Sequence, residues 1–322
     1  LKHLVVVTGW YYPAPSPTGY CIAQIIKHLK GKFRISVICY DQTSRVNGSF
    51  KQIDGVDLYF LSNFRLRLRA LSLERLALSN RSSLASCSYK CTLALSRMLR
   101  AFTSIWAWPT SESWYMNKAW DLLREIDSHN QVDVLITVSN PFEAHMSGLK
   151  FKLYRPDVTW ISYSLDHFTN AHAHHRYFFS KKLKNKLNVH FERRVFETAD
   201  FNFVTHELQP WYYEITKDMS HKMQAISFPL LDFPDKEAGP CVLSRYKGKI
   251  NLVYAGTLYK RIRNPEYLLR LIANLNNEDI VLHLFVQGDC MEIINRYVRG
   301  SNGRIVVHGM VSKNEMQSIM QQ

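Results

Sequence analysis

The sequence predicts an α/β protein built from two Rossmann-like, doubly wound domains that face a cleft, with the second domain incomplete. Two stretches carry this prediction. Leu4 to Thr8 is an apolar run that leads through a Pro-rich loop to Gly19, and residues 251–256 form a second run before the basic turn 260–263. In each stretch an apolar β-run precedes a loop and a helix, which leaves backbone N–H groups free for an anion at the helix start.

Alternation of strands and helices continues along the first 231 residues. Continuous apolar runs such as 134–138 are typical of parallel strands covered on both faces. Strands are predicted at 4–8, 34–40, 56–61, 133–138, 158–163 and 201–205. Helices are predicted at 19–30, 114–128, 142–154, 176–198 and 206–217.

A loosely patterned stretch rich in Pro and Gly separates the two predicted domains. We place the first domain at 1–231, the linker at 232–248 and a partial second domain at 249–322. In the second domain, strands are predicted at 250–255, 280–286 and 304–308, and helices at 264–276, 289–299 and 312–320. Because the chain begins with Leu1 and its last helical pattern stops without a cap, we expect a fragment of a longer protein.

Composition narrows the class of partner and the compartment. The 322 residues carry a formal charge of +14, so an anionic partner is expected among nucleotides, membrane lipids and nucleic acids. The six cysteines show no C-x-x-C pair and are interpreted as reduced thiols of a cytoplasmic protein. No signal peptide and no apolar window of about 18 residues is found, so no transmembrane helix is predicted.

Residues 65–110 do not follow the alternation of strands and helices and are interpreted as a basic insertion. Between positions 65 and 100 the sequence has eight basic residues and one acidic residue, Glu74, which gives a local charge of 8 − 1 = +7. The eight are Arg65, Arg67, Arg69, Arg75, Arg81, Lys90, Arg97 and Arg100. Apolar residues then follow helical spacing, at Leu95, Met98, Leu99, Phe102, Ile105 and Trp106, with Trp108 beyond. Such a helix either lies on an anionic membrane surface or packs on its own domain with a solvated basic face.

The order and spacing of several motifs resemble the GT-B-fold glycosyltransferases of the retaining family-four class. The resemblance covers nearly the whole chain except 65–110. The stretches that carry it are 4–19, 133–145, 160–167, 192–205, 253–260, 284–289 and 306–315. The resemblance implies transfer of a sugar from a nucleotide-sugar donor, which is a substrate and not a cofactor, to a polysaccharide or lipid-linked acceptor. It also implies work at the inner face of the plasma membrane, where many relatives build polysaccharide or glycolipid.

The sequence departs from the family pattern at three places. Thr257 follows Gly256 where relatives usually place an Arg, and Ser139 and Asn140 stand where many relatives carry a His. The paired glutamates of the donor site, seven residues apart, would lie beyond Gln322. We therefore expect the fragment by itself to be inactive.

Donor-side candidates follow from the charge that develops on a departing diphosphate. Lys260, Arg261 and Arg263 follow a strand end, where cations would stabilise that charge. Gly19 and Gly256 lack a Cβ and would let the backbone approach the phosphates. The alternatives are a solvated basic turn for the cations and an ordinary helix start for Gly19.

Acceptor-side candidates are groups that could orient or deprotonate the incoming hydroxyl. Asp166 and His167 close a predicted strand at the carboxyl end, where α/β sites lie, and His145 lies on the helix that follows the earlier strand 133–138. Ser139 and Asn140 are predicted to line the same cleft. Alternatively, Asp166 caps a turn and His145 only packs.

Other classes of function stay open at this point. The histidines at 172, 174 and 175 near Asp166 lack a fixed ligand spacing, so no metal site is predicted. A sugar-nucleotide epimerase of the same fold is one alternative, and a non-catalytic basic module that binds membrane or nucleic acid is another. Nucleic acid is not expected as a partner, because the aromatic residues follow core or helical patterns and do not interleave with basic ones.

Overall fold

The protein is described by a computed structural model that covers residues 1–11, 16–41, 50–78, 84–106, 112–171, 181–227, 242–260, 263–275 and 277–320. The chain divides into two units, Leu1–Leu230 and Leu231–Gln322. Most of the expected linker, 232–248, lies outside the described residues.

The first unit contains an eight-stranded sheet with helices between most of its strands. Its strands are β1 Lys2–Val7, β2 Phe33–Tyr40, β3 Phe50–Ile53, β4 Val56–Leu61, β5 Val134–Ser139, β6 Thr159–Ser164, β7 Phe201–Val204 and β8 Met223–Ala225. Its α-helices are α1 Pro17–Leu29, α2 Phe64–Leu78, α3 Leu84–Trp106, α4 Ser113–His129, α5 Glu143–Tyr154, α6 Lys181–Thr198 and α7 Gln209–Ile215.

The strand order is β3-β4-β2-β1-β5-β6-β7-β8, and only the β3–β4 pair is antiparallel. From β1 the chain builds outward through β2 and β4. It then returns to place β5 on the other side of β1 and builds outward again through β8. The sheet is therefore doubly wound, as predicted, and its topological switch point lies between β1 and β5.

Both faces of the sheet are buried. Consecutive side chains of a strand point to opposite faces, so each strand contributes residues to two separate hydrophobic clusters. Leu4 and Val6 of β1 belong to one hydrophobic cluster, together with Ile22 of α1. Val5 and Val7 belong to the other cluster, which includes Tyr115 and Leu123 of α4. The continuous apolar strands predicted a parallel sheet of this kind, and that prediction is confirmed.

The second unit contains a three-stranded parallel sheet of order β11-β10-β9. Its elements are β9 Ile250–Leu258, α8 Glu266–Asn274, β10 Ile280–Gly288, α9 Met291–Arg299, β11 Ile305–His308 and α10 Lys313–Met320. The core joins strand residues such as Leu282 and Leu284 to Leu269 of α8 and Ile294 of α9. All three predicted strands and all three predicted helices are present.

Two strands and most of two helices were not predicted. Strand β3 pairs with β4 through a hairpin in which Asp54 and Gly55 have φ values of 51° and 75°. Asp-Gly is the preferred pair for such a turn, so this hairpin could have been found from the sequence. Strand β8 is three residues long, too short for its apolar pattern to be recognised. Helices α2 and α3 fill the basic insertion and pack against each other. Of the helices in the described part of the chain, none has the length and hydropathy needed to cross a bilayer.

Candidate functional site

The loops after β1 and β5 touch at the switch point. A Cβ on Gly9 would lie 2.5 Å from Cδ of Pro141 and 2.7 Å from the carbonyl oxygen of Asn140, so no side chain fits there. In open α/β sheets the crevice between such loops, outside the carboxyl ends of the strands, is where ligands bind. The loop that follows β6 ends at the same edge, because β5 and β6 are parallel neighbours.

Ser139 and Asn140 form the β5 side of this crevice. Asn140 is exposed, whereas Ser139 is buried. Among the described residues, none lies within hydrogen-bonding reach of Ser139 Oγ, and the same holds for the hydroxyl of the buried Tyr163 at the end of β6. Buried hydroxyls normally have partners, so these two are available to a bound ligand or water.

Asp166 and His167 follow β6, as the sequence predicted. Asp166 is exposed, and His167 is half-buried, with the centroid of its ring 6.2 Å from that of the Trp211 ring. No described residue hydrogen-bonds His167 Nδ1. Burial lowers the pKa of His167, while the negative charge of Asp166 acts in the opposite direction. A neutral imidazole beside an exposed carboxylate can accept a proton from a hydroxyl group.

The loop that carries Asp166 and His167 is held by hydrogen bonds to Glu192 of α6. The Glu192 carboxylate accepts the backbone N–H of Thr169 at 3.3 Å and its hydroxyl at 2.7 Å. Tyr212 donates to the same carboxylate at 3.2 Å. Glu192 is buried, and burial raises its pKa. Glu192 therefore fixes the turn that presents Asp166 and His167.

His145 lies in the core and not at the crevice. Its Nδ1 is 2.7 Å from Thr137 Oγ1, and its Nε2 is 3.4 Å from Ser164 Oγ. The indole N–H of Trp160 donates to the same Thr137 Oγ1 at 2.9 Å, so this hydroxyl links Trp160 to His145. Burial lowers the pKa of His145 to about 3, so the ring is neutral. In this position the imidazole cannot touch an acceptor, and it supports Ser164 at the end of β6.

A pair of acids near the switch point was missed in the sequence. Glu143 begins α5 and is buried; its Oε1 accepts the backbone N–H of Glu112 at 2.6 Å. Burial raises the pKa of Glu143 to about 7. The Glu112 carboxylate forms ion pairs with Arg65 of α2 and with Arg100 of α3, the latter at 3.3 Å. It also accepts the indole N–H of Trp114 at 2.6 Å.

These contacts connect the basic insertion to the loop that follows β5. The two acids are 31 residues apart in the chain. A Glu in the first turn of a helix is ordinarily explained by the helix dipole, so nothing in the local sequence pointed to this contact.

Gly19 packs the start of α1 against the loop that follows β1. A Cβ at this position would lie 3.0 Å from the carbonyl oxygen of Trp10 and 3.0 Å from Cα of Tyr11. Its backbone N–H donates to Ser16 Oγ at 3.4 Å, in the manner of a helix N-cap. Because Gly19 has no Cβ, the backbone of the loop after β1 can pack against the start of α1. This contact accounts for the glycine without a phosphate.

The other donor-side candidates lie in or directly after β9 of the second unit. Gly256, within β9, has a φ of 150°, a conformation that favours glycine. The backbone N–H of Lys260 donates to Asp289 Oδ1 at 2.8 Å, and its Nζ lies 3.5 Å from Glu292 Oε2 of α9. Arg263 is exposed, and its backbone N–H donates to the carbonyl oxygen of Tyr259 at 3.0 Å.

Two of the predicted features lie outside the described residues. They are Arg261 in the basic turn and the histidines at 172, 174 and 175. Within the described ranges, no group of three or more His, Cys, Asp or Glu side chains is placed to hold a metal ion.

Comparison with known proteins identifies the fold but not the family. No protein-family profile matches the sequence, and no curated protein matches it. Solved structures do match. A sucrose-phosphate synthase from Thermosynechococcus elongatus aligns with 99% of this chain and 73% of its own, at 11% identity and a TM-score of 0.60. The fold is that of the GT-B glycosyltransferases.

Two further structures show how varied the proteins with this fold are. A lipopolysaccharide outer core galactosyltransferase in its apo form aligns with all of this chain and 72% of its own, at 10% identity and a TM-score of 0.52. A UDP-N-acetylglucosamine 2-epimerase aligns with 98% of this chain and 71% of its own, at 11% identity and a TM-score of 0.50. At such low identity the likeness establishes the fold alone, since one fold hosts many chemistries.

Proposed function

We propose that this protein is a glycosyltransferase of the retaining family-four class, which moves a sugar from a nucleotide-sugar donor to a saccharide or lipid-linked acceptor. The observation that carries the proposal is the crevice at the β1–β5 switch point. There Ser139 Oγ, which has no hydrogen-bond partner among the described residues, and the loop bearing Asp166 and His167 lie at the same sheet edge of a GT-B fold. The order of the sequence motifs supports the family-four class.

On the acceptor side, Asp166 and His167 are the side chains proposed to orient and deprotonate the attacking hydroxyl. Both follow β6, and the loop that holds them is fixed by Glu192. Ser139 and Asn140 would line the opposite wall and hydrogen-bond the sugar. His145 is assigned a positioning role through Ser164, since it is buried and fully engaged.

On the donor side, Lys260 and Arg263 are proposed to stabilise the charge that develops on the leaving diphosphate, together with Arg261. The exposed ion pair of Lys260 with Glu292, 3.5 Å apart, contributes little to stability. Lys260 can therefore exchange this partner for a phosphate at low cost. Asp289 holds the backbone of Lys260 and so sets where its side chain begins.

The donor assignment is tested by replacing Lys260 with Ala in the full-length protein and assaying sugar transfer from a panel of UDP-, GDP- and ADP-sugars. We expect kcat/KM to fall on the order of 10²-fold, mainly through kcat, because the lysine acts on charge that grows in the transition state. Lys249→Ala is the matched control, since Lys249 precedes β9 at the opposite edge of the sheet. Equal kinetics in the two variants would remove Lys260 from the mechanism.

A sugar-nucleotide epimerase is the second candidate, favoured by the match to a UDP-N-acetylglucosamine 2-epimerase over 98% of this chain. The two reactions differ in their products. An epimerase interconverts two sugar nucleotides without an acceptor, whereas a transferase releases the nucleotide and forms a new glycoside. NMR analysis of the products, with and without added acceptor, separates them. A non-catalytic module would leave every sugar nucleotide unchanged.

A further inference from the structure

Helix α3 exposes an apolar face along its described residues. Leu95, Met98, Leu99 and Phe102 are 53%, 68%, 49% and 61% exposed, although residues of these types are usually buried. Their spacing of three and four residues places them on one side of the helix. Ser96, on the other side, is buried. Helix α3 therefore packs on its own unit through one face while its apolar face points to solvent.

The same face continues toward the start of the helix and carries no charge. Cys91 and Cys87 precede Leu95 by four and eight residues, and both are exposed free thiols. The side chains of Ile105 and Trp106, and all of Trp108, lie outside the described residues. The described part of the apolar face thus spans four turns, from Cys87 to Phe102.

The basic residues of α2 and α3 fall into two groups, those that are exposed and those that form ion pairs. Lys90 and Arg97 are exposed on α3 itself, and Arg69 and Arg75 are exposed on the neighbouring α2. By contrast, Arg65 and Arg100 pair with Glu112 and attach the two helices to the rest of the unit.

The arginines of the two helices also influence one another. The pKa of Arg69 is lowered by desolvation first and then by the positive charges of Arg100, Arg65 and Arg97. Positive charge is therefore concentrated along the α2–α3 pair.

We propose that the outer face of α3 docks on an anionic lipid bilayer. The apolar side chains would enter the boundary between headgroups and acyl chains. Lys90 and Arg97 would extend along the helix to the lipid phosphates. Charge complementarity decides the occupant, because the segment 65–100 has eight basic residues and one acid. The surface lies outside the proposed catalytic crevice, so docking does not depend on which reaction that crevice performs.

The two exposed cysteines make the docking face directly observable. An environment-sensitive fluorophore is attached to Cys91 in a protein whose other cysteines are replaced by Ser, and separately to a cysteine introduced at Tyr267. Tyr267 is 72% exposed on α8 in the second unit. We expect a blue shift for the Cys91 probe on vesicles of phosphatidylcholine with phosphatidylglycerol and none on phosphatidylcholine alone. The shift should weaken with added salt, as screening requires. The Tyr267→Cys probe should not respond.

Sedimentation with the same vesicles tests the side chains. Met98→Gln with Phe102→Gln should lower partitioning by roughly tenfold or more, since each buried apolar side chain contributes substantially. The double variant Arg97→Glu with Lys90→Glu should also lower partitioning into anionic vesicles, most strongly at low salt. Leu271→Gln, at a leucine of similar exposure on α8, is the control and should bind as the unaltered protein does.

Thermal unfolding of each variant checks that the fold is kept. Arg65 and Arg100 are left in place because they hold Glu112. Equal binding to neutral and anionic vesicles, or normal binding by the Met98 and Phe102 variant, would overturn the proposal. So would the absence of any vesicle binding, or a dimer in solution that these substitutions dissociate.

Discussion

Replacing Glu143 with Gln should stabilise the protein above neutral pH and leave it unchanged near pH 5. Glu143 is 4% exposed, and burial is the main cause that raises its pKa from 4.5 to about 7. The negative charge of Glu112 acts in the same direction, while Arg100 opposes it. A raised carboxyl pKa means that the folded state binds more protons than the unfolded state between pH 4.5 and about 7. Stability is therefore lost as the pH rises through this window.

The size of the effect follows from the same two values. The difference between 4.5 and about 7, at about 1.4 kcal/mol for each pH unit, corresponds to about 3 kcal/mol of unfolding free energy. Gln has nearly the same shape and keeps an oxygen to accept the Glu112 N–H. The buried tyrosines Tyr40 and Tyr115 have pKa values raised well above 10, so they are neutral at pH 8 and do not change this figure. About 3 kcal/mol is thus the expected gain at pH 8.

Urea unfolding followed by tryptophan fluorescence, at a series of pH values from 5 to 8, measures this difference. The difference in unfolding free energy between Glu143→Gln and wild type, plotted against pH, isolates the titration of Glu143 from that of the other groups. Glu125→Gln, at an exposed position on α4, is the control for loss of a surface carboxylate. A difference between Glu143→Gln and wild type that stays constant with pH would refute the reasoning. So would a variant that is less stable than wild type at pH 8.

Two further substitutions test packing and the second unit. Gly148→Ala should lower the unfolding free energy by about 1–3 kcal/mol, because a Cβ would lie 2.7 Å from Nε1 of the buried Trp160. Gly309→Ala, where no atom lies within 4 Å, should cost much less in the same urea titration. In the second unit, burial and the neighbouring His308 lower the pKa of His283 from 6.5 to about 4. Its stabilising contribution is lost as the pH falls through this range, so His283→Gln should flatten the acid side of the stability curve, and an unchanged acid side would exclude this role.

Much of the fold was predictable because its determinants are local. The apolar run of β5 and the strand–helix alternation around it are set by residues a few positions apart, and they predicted a doubly wound sheet correctly. The Asp54–Gly55 hairpin is equally local, since two adjacent residues set its turn. The positions of Asp166 and His167 after β6 also followed from one strand and its end.

The role of His145 shows where local reasoning stops. Its place after a predicted strand favoured an acceptor-side function. The structure instead puts it between Thr137 and Ser164, with both ring nitrogens engaged. Which face of α5 is buried depends on how the helix packs against β5 and β6. That packing is decided by many residues distant in the chain.

The sequence by itself determined the alternation of elements, the concentration of positive charge in 65–100 and the residues that end each strand. Only the tertiary structure decided that Glu112 pairs with Arg65 and Arg100, that Glu143 is buried beneath it, and that the apolar face of α3 points to solvent. The physical reason is range. Periodicity and turn chemistry act over a few residues, whereas burial and ion pairing depend on which distant segments the fold brings into contact.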